Sequence, residues 1–284
     1  MNLFIINRKN ANKNIFGAFK TAAKKNHIKI IEVNIDNYLR FKLSKRDFVY
    51  RISSDANSRY IEKEYSFYKP ITLRAEKGFN ILESIYDNVV NATMLHQFYH
   101  LPIPKTEFIN SSDKLLLKNT TKKLGGYPIV IKLRGSQKGM GVIKINNYKE
   151  YQKQTKNLIE QNLVYITREF VDSPGLSYRA IVLGDVVLVC YKNQSVHEDE
   201  FRSNTDQKQR VREIIKLDKA EEKIMVKAVN VLDIEFGAVD FAYDKSDADK
   251  LKIFEVNYPC NFVPAQKLSG IDIAEKILIH LLNK

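Results

Sequence analysis

A glycine-rich loop lies near the middle of the chain, where residues 134–141 separate two apolar runs, 129–133 and 142–145. Glycines let a backbone approach a ligand closely and turn its N–H groups toward phosphate. A strand pattern follows the loop, and no Gly-Lys-Ser/Thr ends it, which excludes a Walker loop and a dinucleotide-binding turn. The pattern therefore predicts a strand–loop–strand flap, which either covers phosphates or is a hairpin without a ligand.

Strands and helices alternate in the first third of the chain. Residues 3–6, 28–33 and 48–52 read as strands, and residues 17–26 have the apolar spacing of a helix. A further helix is predicted over 58–68. This βαβ-like order predicts a small parallel sheet and places the chain in the α/β class.

The composition is typical of a folded globular protein, with 44% hydrophobic and 28% charged residues. It excludes disordered, collagen-like and disulfide-dense proteins. The apolar runs are too short for a signal peptide or a spanning helix, so we expect a cytoplasmic protein without a membrane partner. Cys190 and Cys260 belong to no CxxC pair, and we expect two reduced thiols.

The formal charge of +13 leaves several partners open. Such a charge is compatible with nucleic acid, an anionic surface or acidic substrates, and equally with a compositional bias toward lysine, asparagine and isoleucine. The lysines are scattered rather than clustered, and no nucleic-acid motif is present. We therefore do not expect a nucleic-acid partner. The sequence remains compatible with acidic substrates and with the formation of a homo-oligomer.

One lysine interrupts the apolar run that precedes the glycine loop. Burying the Lys132 ammonium without a partner would be costly, so it needs either phosphate or solvent on an open sheet face. Its position directly before the glycine loop favours phosphate.

Polar residues interrupt two apolar strands near the C-terminus. Glu255 and Asn257 are two residues apart on one strand and share a face, and an adjacent antiparallel strand would place Asp240 beside them. Carboxylate and amide oxygens suit Mg²⁺, which takes one or two carboxylates together with substrate phosphates. The alternative is the solvent face of a hairpin, but the flanking apolar residues favour a metal site.

Two arginines are candidate anion-binding groups, because arginine offers a fixed fork of donors and stays charged. Arg179 lies in a predicted strand and Arg202 in a polar stretch between elements. The five histidines form neither a metal-ligand spacing nor a triad with a nucleophile, so we expect no catalytic histidine.

The order of these motifs resembles the RimK-like branch of the ATP-grasp ligases. The resemblance runs from about residue 87 to the C-terminus and more loosely through the first third. It rests on Lys132, the glycine loop, Glu169-Phe170-Val171, Arg179, Phe201-Arg202-Ser203-Asn204, Asp240, Glu255-Val256-Asn257 and residues 270–274.

The resemblance implies a domain arrangement. It consists of a small N-terminal α/β domain (1–86) followed by an ATP-grasp domain (87–284). The second domain would comprise a glycine-loop subdomain (about 105–175) and a metal-binding subdomain (about 176–284), two α+β units that clamp ATP between their sheets.

The resemblance also implies an activity. This activity is the ATP-dependent joining of a carboxylate to an amine through an acyl phosphate, with release of ADP and phosphate. ATP and Mg²⁺ or Mn²⁺ would be the cofactors, and acidic small molecules or peptides the substrates. Arg179 and Arg202 would act in catalysis, and Asp240, Glu255 and Asn257 would bind the metal. The nucleotide-binding residues would be Lys132, Gly135, Ser136, Gln137, Gly139, Gly141, Glu169, Phe170, Ser177, Ser203 and Asn204.

Several residues depart from the family pattern. Asn88 stands where a lysine is common, and Ser177 stands where an aspartate is usual. These two departures keep an alternative open, an ATP-binding module of the same fold that has weak or no catalysis and a regulatory or assembly role. Residues 205–208 and 258–262 also differ from the glutamate ligases, which indicates a different substrate.

Overall fold

The computed structural model describes most of the chain, in residues 2–7, 12–33, 40, 47–52, 77–79, 89–134, 141–195 and 210–283. The helix predicted over 58–68 lies outside these ranges. The described strands are β1 (Asn2–Ile6), β2 (Lys29–Val33), β3 (Phe48–Arg51), β4 (Lys77–Phe79), β5 (Thr106–Glu107), β6 (Ile129–Leu133), β7 (Val142–Ile145), β8 (Tyr165–Glu169), β9 (Leu176–Leu183), β10 (Val186–Ser195), β11 (Arg210–Ile215), β12 (Phe236–Asp244) and β13 (Lys250–Asn257). The described α-helices are α1 (Lys13–Lys25), α2 (Val89–Phe98), α3 (Lys114–Lys123), α4 (Tyr148–Glu160), α5 (Lys219–Asn230), α6 (Val263–Ser269) and α7 (Ile273–Leu282).

The first sheet is parallel, as the βαβ-like order predicts, with the strand order β2-β1-β3-β4. Helix α1 connects β1 to β2 and buries an apolar stripe that includes Phe19 and Ala22. The Phe19 ring packs against Tyr50 of β3 with centroids 4.9 Å apart. It also meets Phe262 edge-on at 5.8 Å, which joins the first sheet to the C-terminal part of the chain.

The second sheet is antiparallel and contains the strand that carries Lys132. Its order is β5-β8-β6-β7, and it includes every described strand between residues 105 and 175. Helices α3 and α4 cover one face, where Leu117 and Tyr151 pack against Ile129 and Ile131. Asp113 and Asn147 cap the two helices by accepting hydrogen bonds from backbone N–H groups of their first turns.

The third sheet, also antiparallel, contains every described strand after residue 175, in the order β11-β10-β9-β12-β13. One face packs against α5, whose Met225 and Ala228 are fully buried. Helix α5 begins with a capping box in which Asp218 and Glu221 satisfy each other's backbone N–H groups. The opposite face is apolar at one end, where Phe236 meets Phe262, and polar where Asp240 and Glu255 lie.

The structure adds elements that the sequence patterns do not predict. Strand β11 and helix α6 are the clearest examples. Cys190 and Cys260 are both free and buried, as expected. Within the described part of the chain, no helix has the length and apolar character needed to span a bilayer.

Candidate functional site

The three predicted metal ligands lie side by side on the third sheet. Strands β12 and β13 are antiparallel, and Asp240 stands opposite Glu255 in their register. A bulge directly after Asp240 shifts the pairing, so that Phe241 is opposite Ile253. Asn257 follows Glu255 by two residues and therefore shares its face. The alternation seen in the sequence thus produces the predicted cluster.

Hydrogen bonds hold this cluster together. The Asn257 side-chain amide donates to Asp240 Oδ2 at 2.8 Å and to Glu255 Oε1 at 3.2 Å. Arg179 of β9 lies on the other side of Asp240 and binds both carboxylate oxygens, each at 2.6 Å. Such a bidentate pair fixes the position of the carboxylate as well as neutralising its charge.

An ion pair connects the cluster to the second sheet. Lys132 of β6 donates from Nζ to Glu255 Oε2 on β13. The Lys132 side chain is only 14% exposed, so the carboxylate compensates an otherwise costly ammonium. The Lys132 charge, helped by the Asn257 amide, lowers the pKa of Glu255 to about 2 despite its burial. Glu255 is therefore ionised at neutral pH.

Asp240 and Arg179 form the more deeply placed pair, with side chains 10% and 21% exposed. Burial raises the pKa of Asp240, while the Arg179 guanidinium opposes that rise. The Asp240 carboxylate in turn raises the pKa of Arg179 against the effect of burial. Arg179 is therefore the main group that counteracts the effect of burial on the pKa of Asp240.

The donor set fits a hard divalent cation. Two carboxylates and one amide supply oxygen ligands of the kind that Mg²⁺ takes. Within the described residues, no three acids, histidines or cysteines gather as a complete metal site, so other ligands would have to come from water or phosphate. Lys132 and Arg179 occupy the carboxylate oxygens in this structure. Each carboxylate oxygen keeps a further lone pair, so a cation could bind beside these two side chains, or they could turn toward phosphate oxygens.

Two of the predicted nucleotide-binding residues, Glu169 and Phe170, lie at the end of β8. Glu169 accepts hydrogen bonds from the Lys105 backbone N–H and from Lys252 Nζ, both at 2.9 Å. Its carboxylate is therefore engaged in joining the second sheet to β13 of the third. The next residue, Phe170, lies under the Lys144 ammonium, 4.1 Å from the ring centroid. Phe170 thus presents an aromatic ring at the junction of the two sheets.

Several predicted residues lie outside the described part of the chain, namely Asn88, Gly135, Ser136, Gln137, Gly139, Arg202, Ser203 and Asn204. The two ends of the glycine loop are described. Leu133 donates its backbone N–H to the Gly141 carbonyl at 2.9 Å, so β6 and β7 are paired up to the loop. Ser177, which is 5% exposed, lies on β9 two residues before Arg179 and opposite Asn193.

Two basic side chains at the junction were missed by sequence reasoning. Lys252 forms the ion pair with Glu169 and is 12% exposed. Arg168 is 5% exposed and donates from Nη1 to the Phe254 carbonyl at 2.8 Å. It also donates to the Thr93 hydroxyl of α2, so it links both sheets and a helix. A charged residue within an apolar strand, as in residues 165–169, was the signal that could have identified Arg168.

Comparisons with known proteins show the family of this chain. The family model for the RimK-like ATP-grasp domain matches residues 87–281. A probable alpha-L-glutamate ligase of Marinomonas sp. strain MWYL1 is 30% identical over 184 residues, which cover 64% of this chain and 58% of the relative. A protein of the same name from Vibrio atlanticus strain LGP32 is 28% identical over 176 residues, covering 62% and 56%. The chain thus spans little more than half the length of these curated relatives.

Solved structures resemble the whole chain at low sequence identity. The ATP-grasp ligase PsnB, in complex with a phosphomimetic variant of a minimal precursor, Mg and ADP, has a TM-score of 0.72 and 13% identity, covering 99% of this chain and 97% of PsnB. The D-alanine–D-alanine ligase of Bacillus anthracis has a TM-score of 0.69 and 14% identity, covering 100% and 96%. At such identities the likeness concerns the fold alone.

Proposed function

Since this chain belongs to the RimK-like ATP-grasp family and has the ATP-grasp fold, we propose that it is an ADP-forming ligase that joins a carboxylate to an amine. The observation that carries the proposal is the convergence of Lys132 with Asp240, Glu255 and Asn257 where the second and third sheets meet. Two carboxylates, an amide and the Lys132 ammonium lie in one place. Such groups suit phosphoryl transfer, which needs the reacting groups to be positioned and their charge to be neutralised.

The reaction has two steps. A substrate carboxylate oxygen attacks the γ-phosphorus of ATP, the bond to the bridging oxygen breaks, and ADP leaves. An amine nitrogen then attacks the carbonyl carbon of the acyl phosphate, phosphate leaves, and the nitrogen loses a proton to give an amide. Neither step needs a nucleophile from the protein, in agreement with a site built from charged and amide groups.

Each residue of the cluster has a role in this proposal. Lys132 would turn from Glu255 to the ATP phosphates, and Arg179 would neutralise charge that develops on the transferred group. Asp240, Glu255 and Asn257 would hold Mg²⁺ or Mn²⁺, which would supply positive charge against the phosphate oxygens. The remaining proposed contacts to nucleotide or substrate come from Gly135, Ser136, Gln137, Gly139, Gly141, Glu169, Phe170, Ser177, Arg202, Ser203 and Asn204.

The substrates in this proposal are an acidic carboxylate compound and an amine, either small molecules or peptides. Curated relatives are named probable alpha-L-glutamate ligases, which supports an amino acid. Among the structural neighbours, the macrocyclase MdnC was solved with its precursor peptide MdnA, which supports a peptide. The formal charge of +13 suits an acidic substrate of either kind.

A second function is favoured by two residues. Asn88 and Ser177 replace a lysine and an aspartate of the family pattern, which supports an ATP-binding module that does not turn over. This alternative predicts nucleotide binding without ADP release under any combination of carboxylate and amine.

Glu255→Gln tests the proposed function. The substitution keeps the shape of the side chain but removes one negative ligand charge, so we expect ADP release to fall at least 100-fold while the protein stays folded. The matched control is Glu213→Gln on β11, because Glu213 is 62% exposed and pairs with Lys192 at 2.6 Å. Full turnover in the Glu255 variant would refute the assignment, and no ADP release from the wild type would favour the binding module.

A further inference from the structure

The face of the third sheet that carries the candidate site continues across three more strands. Asp240 stands opposite Arg179 of β9, and Arg179 stands opposite Tyr191 of β10. Residues directly opposite each other in antiparallel strands share a face. Tyr191 is 3% exposed and lies on the same side as Asp240. The cluster is therefore one end of a longer polar row.

A second polar row runs beside the first. Ser177 of β9 stands opposite Asn193 of β10, and Asn193 stands opposite Arg212 of β11. Asn193 is 7% exposed, and its side-chain oxygen accepts a hydrogen bond from Arg212 Nε at 3.0 Å. This bond confirms that Arg212 projects on the same face, and it orients the guanidinium.

The Arg212 guanidinium differs from that of Arg179. Arg179 is neutralised by both oxygens of Asp240, whereas no carboxylate among the described residues lies within ion-pair distance of Arg212. The neighbouring acid, Glu213, points to the other face and pairs with Lys192. Among the residues that the structure describes, none accepts a hydrogen bond from the two Nη groups of Arg212, and this fork matches the geometry of a carboxylate.

The strand register places Arg212 near the candidate site. Tyr191 of β10 stands opposite Arg179 of β9, and Asn193, two residues further along β10, stands opposite Arg212 of β11. Strand β10 therefore lies between the two arginines. Three strand spacings separate β11 from β12, or about 14 Å between backbones. Arg212 is thus too far away to share the phosphate oxygens held beside Asp240, but near enough to bind another part of the same substrate.

We propose that Arg212, oriented by Asn193, binds a carboxylate of the substrate other than the one that reacts. This inference rests on the proposed function and deepens it, because it names an acidic amino acid or an acidic peptide side chain as the group recognised. Ser177 and Asn193 complete the polar surroundings of this carboxylate subsite.

Isothermal titration calorimetry on the full chain, with Mg²⁺ and a non-hydrolysable ATP analogue, tests the subsite. L-Glutamate is compared with L-glutamine, and tetraglutamate with tetraglutamine, so that the two arms separate a free amino acid from a peptide. We expect the wild type to prefer the acidic probe of one arm by about tenfold or more. Arg212→Met should abolish this preference. Lys192→Met, which removes one charge from the opposite face, should keep it.

Two results would overturn the subsite. One is equal binding of the acidic and amide probes by the wild type in both arms, and the other is an unchanged preference for the acidic probe in Arg212→Met. The same samples separate this inference from the proposed function. A nucleotide-induced rise in melting temperature, together with either of those results, refutes the subsite alone. No nucleotide effect in the wild type, with a preference that still depends on Arg212, refutes the proposed function and keeps the subsite.

Discussion

Replacing Arg179 by methionine should leave Asp240 buried without its counter-charge. Removing one partner of a buried ion pair costs about 3–5 kcal/mol. The side chains of Arg179 and Asp240 are 21% and 10% exposed, so we expect the lower end, about 3 kcal/mol. At about 2–4 °C per kcal/mol, the melting temperature should fall by roughly 6–12 °C at pH 7.

The pH dependence of this loss gives a second readout. Burial already raises the pKa of Asp240, and Arg179 opposes that rise, so its removal raises the pKa further. A carboxyl whose folded-state pKa is raised favours folding at low pH and disfavours it as the pH rises through that pKa. The stability deficit of Arg179→Met relative to the wild type should therefore shrink as the pH is lowered from 8 to 5.

A double variant provides the control. Adding Asp240→Asn removes the uncompensated charge, so Arg179→Met/Asp240→Asn should recover most of the loss in a double-mutant cycle. Thermal unfolding across this pH range measures the stability of all four proteins of the cycle, namely the wild type, both single variants and the double variant. A deficit independent of pH, or a double variant as unstable as the sum of both changes, would refute the assigned electrostatics.

Three further predictions concern other buried groups. Burial lowers the pKa of His96 to about 4, below the ordinary 6.5, so the free energy of unfolding should decrease as the pH falls from 6.5 to about 4. His96→Gln should make the free energy of unfolding less dependent on pH in this range, and an unchanged dependence would contradict the assignment. Burial raises the pKa of Cys190 and Cys260 to about 12, so iodoacetamide should label them only in denaturant, and rapid labelling of the native protein would be inconsistent with their burial. Lys252→Met should cost about 1–3 kcal/mol in urea unfolding, because Glu169 loses its buried ion-pair partner and keeps only the Lys105 backbone N–H and the exposed Lys105 ammonium at 3.8 Å. A change below about 0.5 kcal/mol would mean that the pair with Lys252 is not buried.

Local rules predicted that Asp240, Glu255 and Asn257 lie together, because their arrangement depends on adjacent strands alone. Glu255 and Asn257 share a face by the period of two along a strand, and Asp240 comes beside them through a hairpin of adjacent strands. The hairpin at Gly184 was predictable for the same reason, since a glycine with a φ of 56° permits the tight turn between β9 and β10.

Contacts between distant segments could not be predicted from local patterns. The ion pair of Lys132 with Glu255 joins residues 123 apart in the chain, and it depends on how the second sheet meets the third. The bond from Arg168 to the Phe254 carbonyl has the same origin. The sequence shows that a charged residue lies within an apolar strand, but the partner of that residue depends on how the second sheet packs against the third.

Two elements were missed for different reasons. Strand β11 is an edge strand whose Val211 and Ile214 are 60% and 45% exposed, so apolar residues on its surface obscure any alternation. Helix α6 carried signals that were available, namely Pro264 in its first turn and Gly270 as a left-handed C-cap with a φ of 74°. Its length of seven residues is too short for a clear helical period.

The central claim is that Mg-ATP binds where Lys132 meets Asp240, Glu255 and Asn257. A thermal-melt titration with ATP, with and without Mg²⁺, tests it most directly. At about 100 times the dissociation constant, a ligand stabilises the folded protein by about 2.7 kcal/mol. We predict a Mg²⁺-dependent rise in melting temperature for the wild type and its loss in Lys132→Met and Asn257→Ala. No rise with any nucleotide, or an equal rise in both variants, would contradict the account.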